Sequence, residues 1–306
     1  MAFFQVNFFS PTLRFGTDVN VVIPTPNADE LMNHKDTSYF HTGAKYQVLY
    51  LLHGSYGDYS DWMRLTSIEK YAQNHKIAVV MPSASNSFYQ DMYRGSQYLT
   101  YLTEELPEFI ESLFPVSRKR ENTFVAGLSM GGYGAWRLAL QKPEQYACAA
   151  SLSGAVDFLG TVEATKHGEI SGPFKWEALF ENPDAIEGSD ADLFALAAKR
   201  KAEGRPLPKL FQCVGTEDFT YNINQNARKQ MTELGLDLTY AEHPGIHDWD
   251  YWDAHIQDVL NWLPLAESTV AEKGGDGNGT YSMQLFLAGI AEKRQCHHLP
   301  AHAGRG

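Results

Sequence analysis

TFVAGLSMGGYGAWRLALQ, residues 123–141, starts as a short apolar run without alternation and continues with the small-residue and leucine pattern of a helix. At the junction stands Gly127-Leu128-Ser129-Met130-Gly131, a G-x-S-x-G sequence. A strand that turns sharply into a helix holds the central residue on a strained backbone, with its side chain at the tip. Glycines on either side remove side chains that would collide across the turn. The unpaired N–H groups of the first helical turn then lie beside the hydroxyl, where an oxyanion would form. This context makes Ser129 a candidate nucleophile; a glycine-rich turn alone would not.

Working outward, similar apolar runs recur at QVLYLLHG (47–54), IAVVMP (77–82), ACAASLSG (147–154) and KLFQCVG (209–215). They read as strands covered on both faces. LDLTYAEHPG (236–245) begins more polar and is placed nearer an edge. Two further strands are expected, roughly over Phe3 to Phe9 and Asp18 to Ile23, before a Pro/Asn/Asp-rich loop running from Pro24 to about Lys45. Helical patterns lie between the strands, over Ser67 to His75, Gly131 to Gln141, Asn222 to Leu234 and Trp249 to Leu263. Another follows Tyr98, Leu102, Leu106, Phe109 and Leu113, and Pro107 within it should kink or restart the helix. Alternating strands and helices imply parallel pairing through right-handed crossovers, here a doubly wound α/β sheet with an antiparallel start.

Two regions break the alternation. Residues 155 to about 205 are too long for an ordinary connection, and such insertions often cover an active site. The Gly-rich GGDGNG at 274–279 marks a linker, with an isolated possible helix, SMQLFLAGIA, at 282–291. One α/β domain over 1–267 and a flexible tail over 268–306 are therefore expected.

A chain of 306 residues suffices for a single large core. Its net charge of -12 argues against a nucleic-acid partner, which needs a concentrated cationic surface. The cysteines, Cys148, Cys213 and Cys296, form neither a disulfide framework nor a metal-ligand motif. MAFFQVNFFSPTLRFG has no basic region followed by a continuous apolar one, and no apolar stretch is long enough to span a bilayer. A cytoplasmic protein without a membrane partner is expected, and a homo-oligomer is compatible with the sequence.

A serine hydroxyl needs a base, and the base needs an orienting group. With the chain order Ser, acid, His, the acid should follow the strand KLFQCVG and the histidine the last strand. His247, in Pro244-Gly245-Ile246-His247-Asp248, lies at the carboxyl edge of the sheet, whereas His243 is still on the strand side and His255 is inside a helix. Thr216-Glu217-Asp218 offers two carboxylates. Asp218 is preferred, and Glu217 is the close rival. The backbone N–H groups of Ser55, after His53-Gly54, and of Met130 are the candidate oxyanion donors. His53 invites a metal reading, but no second ligand has suitable spacing, so no metal is expected.

With these residues assembled, the chain resembles the esterase D-like family of α/β hydrolases, which includes S-formylglutathione hydrolases, tributyrin esterases, feruloyl esterase domains and mycolyltransferases. The resemblance rests on LLHGSYGDYSDW, YLTEELPEFIESLFP, FVAGLSMGGYGAWRLALQKPEQYACAASLSG, VGTEDF and HPGIHDWDYW. It implies the α/β-hydrolase fold, a triad of Ser129, Asp218 and His247, and attack on esters or thioesters without metal or organic cofactor. YGDYSDW looks closest to the small tributyrin and acetyl esterases. The formylglutathione hydrolases usually carry S-G-x-T-C where this chain reads His53-Gly54-Ser55-Tyr56-Gly57.

The expected function is hydrolysis of short-chain acyl esters through an acyl-enzyme on Ser129. The alternatives are a thioesterase of the S-formylglutathione hydrolase type and a binding or scaffold protein that keeps the fold. The insertion carries Phe158, Phe174, Trp176, Leu179 and Phe180, enough apolar surface to wall a short acyl pocket. Trp176 and Phe180, with His53, are the expected pocket residues.

Overall fold

In a computed structural model, residues 1–33 and 43–266 are described, together with the backbone of 270–271. The expected tail lies, apart from that backbone, outside the described residues, as do Cys296 and SMQLFLAGIA. The sheet has eight strands: β1 (Ala2–Ser10), β2 (Phe15–Ile23), β3 (Val48–Leu52), β4 (Ala78–Pro82), β5 (Thr123–Leu128), β6 (Cys148–Leu152), β7 (Lys209–Gly215) and β8 (Leu238–His243). Their order across the sheet is β1-β2-β4-β3-β5-β6-β7-β8. β1 pairs antiparallel with β2, and β2 antiparallel with β4; every later pairing is parallel. This is a mostly parallel sheet with an antiparallel start, and the more polar β8 takes the edge.

The missing alternation in the apolar runs has a direct cause. Leu49 and Leu51 enter the core layer on one face of the sheet, with Phe124, Ala126 and Val79. Tyr50 and Leu52 enter the layer on the other face, with Val125 and Val80. Both side-chain directions of a central strand are buried, so every position must be apolar. The stripe around Pro107 also follows its chemistry. A π-turn over Tyr101–Glu105 ends where the Leu106 N–H donates to the Tyr101 carbonyl, and a new helix, Leu106–Leu113, carries Pro107 in its first turn. Proline has no N–H to give, and the first turn is where none is required.

The segment after β6 holds helices Phe158–Lys166, Trp176–Leu179 and Leu193–Ala202. The elbow helix, Met130–Gln141, and the last described helix, Trp249–Trp262, lie against the sheet. No described helix is long and apolar enough to cross a membrane.

Candidate active site

β5 ends directly against Ser129, which has φ 52° and ψ -119° before the helix begins at Met130. That left-handed conformation is strained for a residue with a side chain, typically by about 1–3 kcal/mol. The flanking glycines make it sterically possible. A Cβ on Gly127 would sit 2.3 Å from the Gly131 carbonyl oxygen, and one on Gly131 would sit 2.5 Å from that of His53. The turn is fixed from outside, because the Ser129 N–H donates to Leu152 of the neighbouring strand at 2.9 Å.

The structure brings the three predicted polar side chains together. His247 Nε2 lies 2.9 Å from Ser129 Oγ. Its Nδ1 lies 3.0 and 2.9 Å from the two Asp218 oxygens. Asp218 arrives from the loop after β7 and is buried. Burial alone would raise its carboxyl pKa. The hydrogen bond and charge of His247, with the Thr220 N–H, outweigh burial and hold it below the ordinary carboxylate range. Thr220 gives Asp218 Oδ1 both its N–H and its hydroxyl, each at 2.8 Å. The carboxylate is thus ionised and aimed, which fixes the proton of a neutral His247 on Nδ1 and leaves Nε2 to accept from the serine.

Glu217 has another task. Its Oε2 accepts the Gly245 N–H at 2.7 Å and the Thr216 hydroxyl at 2.8 Å, while its own N–H donates to the Gly245 carbonyl at 3.1 Å. The Gly245 N–H, more than any other group, lowers its pKa. These contacts tie the turn that carries His247 to the turn that carries Asp218.

His53 is buried beneath the chain that presents Ser55 and does not line the cavity. Its Nδ1 lies 2.7 Å from the Gly54 carbonyl, and its Nε2 accepts the Ala84 N–H at 2.9 Å. The ring is therefore neutral with its proton on Nδ1, and burial lowers its pKa to about 4. A trans peptide points its N–H away from its carbonyl, so holding the Gly54 carbonyl sets the direction of the Ser55 N–H. Among the described residues, no acceptor takes the N–H of Ser55 or of Met130. Both line the same cavity as Ser129 and His247.

That cavity measures about 590 Å³. The insertion contributes Thr161, Ile170, Ser171 and Phe174, and the segments around Asp218 and His247 contribute Phe219, Ile223, Trp249 and Trp252. Phe88 closes part of the wall. Trp176 and Phe180, like His53, are corrections to the expected pocket. Trp176 is 7% exposed and stacks behind the wall on Phe88, Phe158 and Phe174, while Phe180 packs on Phe158. A helix from Trp176 to Leu179 turns the indole inward, one layer beyond the cavity. Sequence reasoning missed Phe88, Ile223, Phe219, Trp249 and Trp252 as wall residues. The signal for the last three was their place beside Asp218 and His247: Phe219 and Trp252 lie 4.4 and 4.9 Å from the imidazole.

Residues 30–263 match the family model Esterase, described as "Putative esterase". The acetyl esterase of Caldicellulosiruptor saccharolyticus is 33% identical over 267 residues, 86% of this chain and 98% of that protein. A fluorophosphonate-binding serine hydrolase of Staphylococcus aureus, solved with substrate bound, superposes with a TM-score of 0.75 at 31% identity, covering 86% of this chain and 98% of that one. An S-formylglutathione hydrolase from the same organism gives 0.73 at 31% identity, with the same coverage. The chain belongs to the Esterase family and is an ester hydrolase on the α/β-hydrolase fold.

Proposed function

We propose that the protein hydrolyses short-chain acyl esters through an acyl-enzyme on Ser129. The observation that carries this reading is the continuous hydrogen-bonded line from Ser129 Oγ through His247 to Asp218, opening on one cavity. His247 takes the hydroxyl proton at Nε2 as the serine oxygen attacks the ester carbonyl. The tetrahedral oxyanion receives the N–H groups of Ser55 and Met130; one such donor can contribute about 3–4 kcal/mol. The C–O bond then breaks, and His247 returns the proton to the leaving alcohol. Water, deprotonated by the same nitrogen, attacks the acyl carbon; the bond to Ser129 Oγ breaks, His247 returns the proton to that oxygen, and the acid leaves. Asp218 stays ionised throughout, orients the ring and stabilises the imidazolium.

Substrate size follows from the wall. Phe88, Phe174, Ile170, Trp249 and Trp252 bound a mostly apolar space shared by the acyl group and the alcohol. The similarity to an acetyl esterase over nearly that protein's whole length supports a short acyl group. The similarity to an S-formylglutathione hydrolase makes a thioester the second reading. One preparation assayed on p-nitrophenyl esters of increasing acyl length and on S-formylglutathione tests both. Acetyl to butyryl esters should give the highest kcat/KM. A maximum at ten or more acyl carbons would overturn the short pocket, and S-formylglutathione outrunning every ester would make the thioester reading the correct one.

A further inference from the structure

From the two elements that flank the loop carrying His247, the structure gathers ligand-type side chains that ester hydrolysis does not use. His243 ends β8, and His255 and Asp258 stand one turn apart on the helix Trp249–Trp262. Spacing of i and i+3 puts the last two on one face of that helix. One nitrogen from each ring and one Asp258 oxygen lie within 4.8 Å of one another. The imidazoles are stacked, 4.0 Å apart and 12° from parallel, and His255 Nδ1 lies 2.7 Å from Asp258 Oδ2. His243 Nδ1 is buried with no hydrogen-bond partner. A buried polar atom left in that state is costly and calls for an explanation.

We propose that His243, His255 and Asp258 bind a divalent transition-metal ion of the zinc class. Two imidazoles and a carboxylate are the ligands such ions prefer, whereas magnesium and calcium take oxygen ligands. Bonds of about 2.0–2.1 Å would draw the three donors inward from their present spread. The metal lies in the plane of each imidazole it binds, so the rings must turn out of their stack. The Asp258 side chain is 46% exposed, which gives it freedom to follow and leaves a coordination position for water. Coordination through His243 Nδ1 would give that atom the partner it lacks. It would also join β8 to the helix on either side of the His247 turn, a staple across the element that positions the proposed base. An ion bound by the folded chain and not by the unfolded one raises stability.

The test is titration of the full chain with zinc sulfate, in a background where His297, His298 and His302 are changed to glutamine so that the C-terminal histidines do not compete. The background protein should take up one equivalent of zinc and melt at a higher temperature with zinc than without. His255→Gln should abolish both effects, and Asp258→Asn should weaken binding at least tenfold. The metal-free melting temperatures of these variants establish that they are folded. His247→Gln should bind zinc as the background does, and magnesium chloride should give no binding to any of them. The proposal is overturned if no zinc binds, if His255→Gln binds it with unchanged affinity, or if His247→Gln is the variant that loses it.

Discussion

The turns that hold Asp218 and His247 and the aromatic wall around the insertion border one cavity, yet they are built by different physics. In the first, directional bonds fix each group: Thr220 on Asp218, Asp218 on His247, and Glu217 on the backbone of Gly245. In the second, Phe88, Phe158, Phe174 and Trp176 interlock through ring faces and edges 4.6–5.8 Å apart. Moving a hydrogen-bonded group by one position changes which atom it reaches. In a stacked layer, Phe174 and Trp176 are two residues apart; one touches the cavity and the other supports it from behind. Changes in the polar turns should therefore alter rate with little effect on folding, and changes behind the wall should do the reverse.

The sharpest way to break this contrast is to exchange the two neighbouring acids. Asp218→Asn should lower kcat by about 10⁴, with KM changing far less, because the amide imposes the wrong imidazole tautomer. Glu217→Gln should cost less than about tenfold, since the glutamine oxygen can still accept the Gly245 N–H. The same kinetics would show the reverse pattern if Glu217 were the orienting acid. On the wall, Trp176→Ala should remove about 3–5 kcal/mol of stability in denaturant unfolding and leave the order of acyl preference unchanged. Phe174→Ala should cost less stability and extend the preferred acyl chain; an acyl shift in Trp176→Ala without loss of stability would erase the distinction.

A smaller effect links stability to pH. His53 has a folded pKa of about 4 against 6.5 for the free side chain. Between those values the unfolded chain binds a proton that the folded one refuses, so stability is full above pH 6.5 and falls as the pH drops towards 4. At 1.36 kcal/mol per unit, the loss is about 3 kcal/mol. Unfolding curves of His53→Gln should lack this part of the acid slope. Parallel slopes in the two proteins would mean that His53 is not held neutral under the Ser55 turn.

Much of the polar site was legible in the sequence. G-x-S-x-G between a strand and a helix has one local geometry, and the chain order of Ser, acid and His left His247 and two adjacent carboxylates. Choosing between Asp218 and Glu217 rested on a single position, and only tertiary structure displays the Gly245 bonds that occupy Glu217. The strands were readable because burial on both faces forces an unbroken apolar run, as at Val48–Leu52. The wall was less legible. Aromatic content predicts that a layer forms, but which rings face the cavity depends on how short helices such as Trp176–Leu179 are rotated, and no local periodicity encodes that. Phe88, with φ 49° in a loop, carried no local signal. The pair of His243 and His255 was visible as two separate histidines, one on a strand and one on a helix, and only the packing of β8 against that helix makes them neighbours.

The central claim is that Ser129 is the group acylated by substrate, activated by His247. Intact-mass measurement and peptide mapping after reaction with an active-site fluorophosphonate test it most directly. One adduct per chain is expected, on the peptide containing Ser129, formed in step with loss of esterase activity and absent from Ser129→Ala and strongly slowed in His247→Gln. An adduct on any other residue, or full inactivation with Ser129 unmodified, would contradict it.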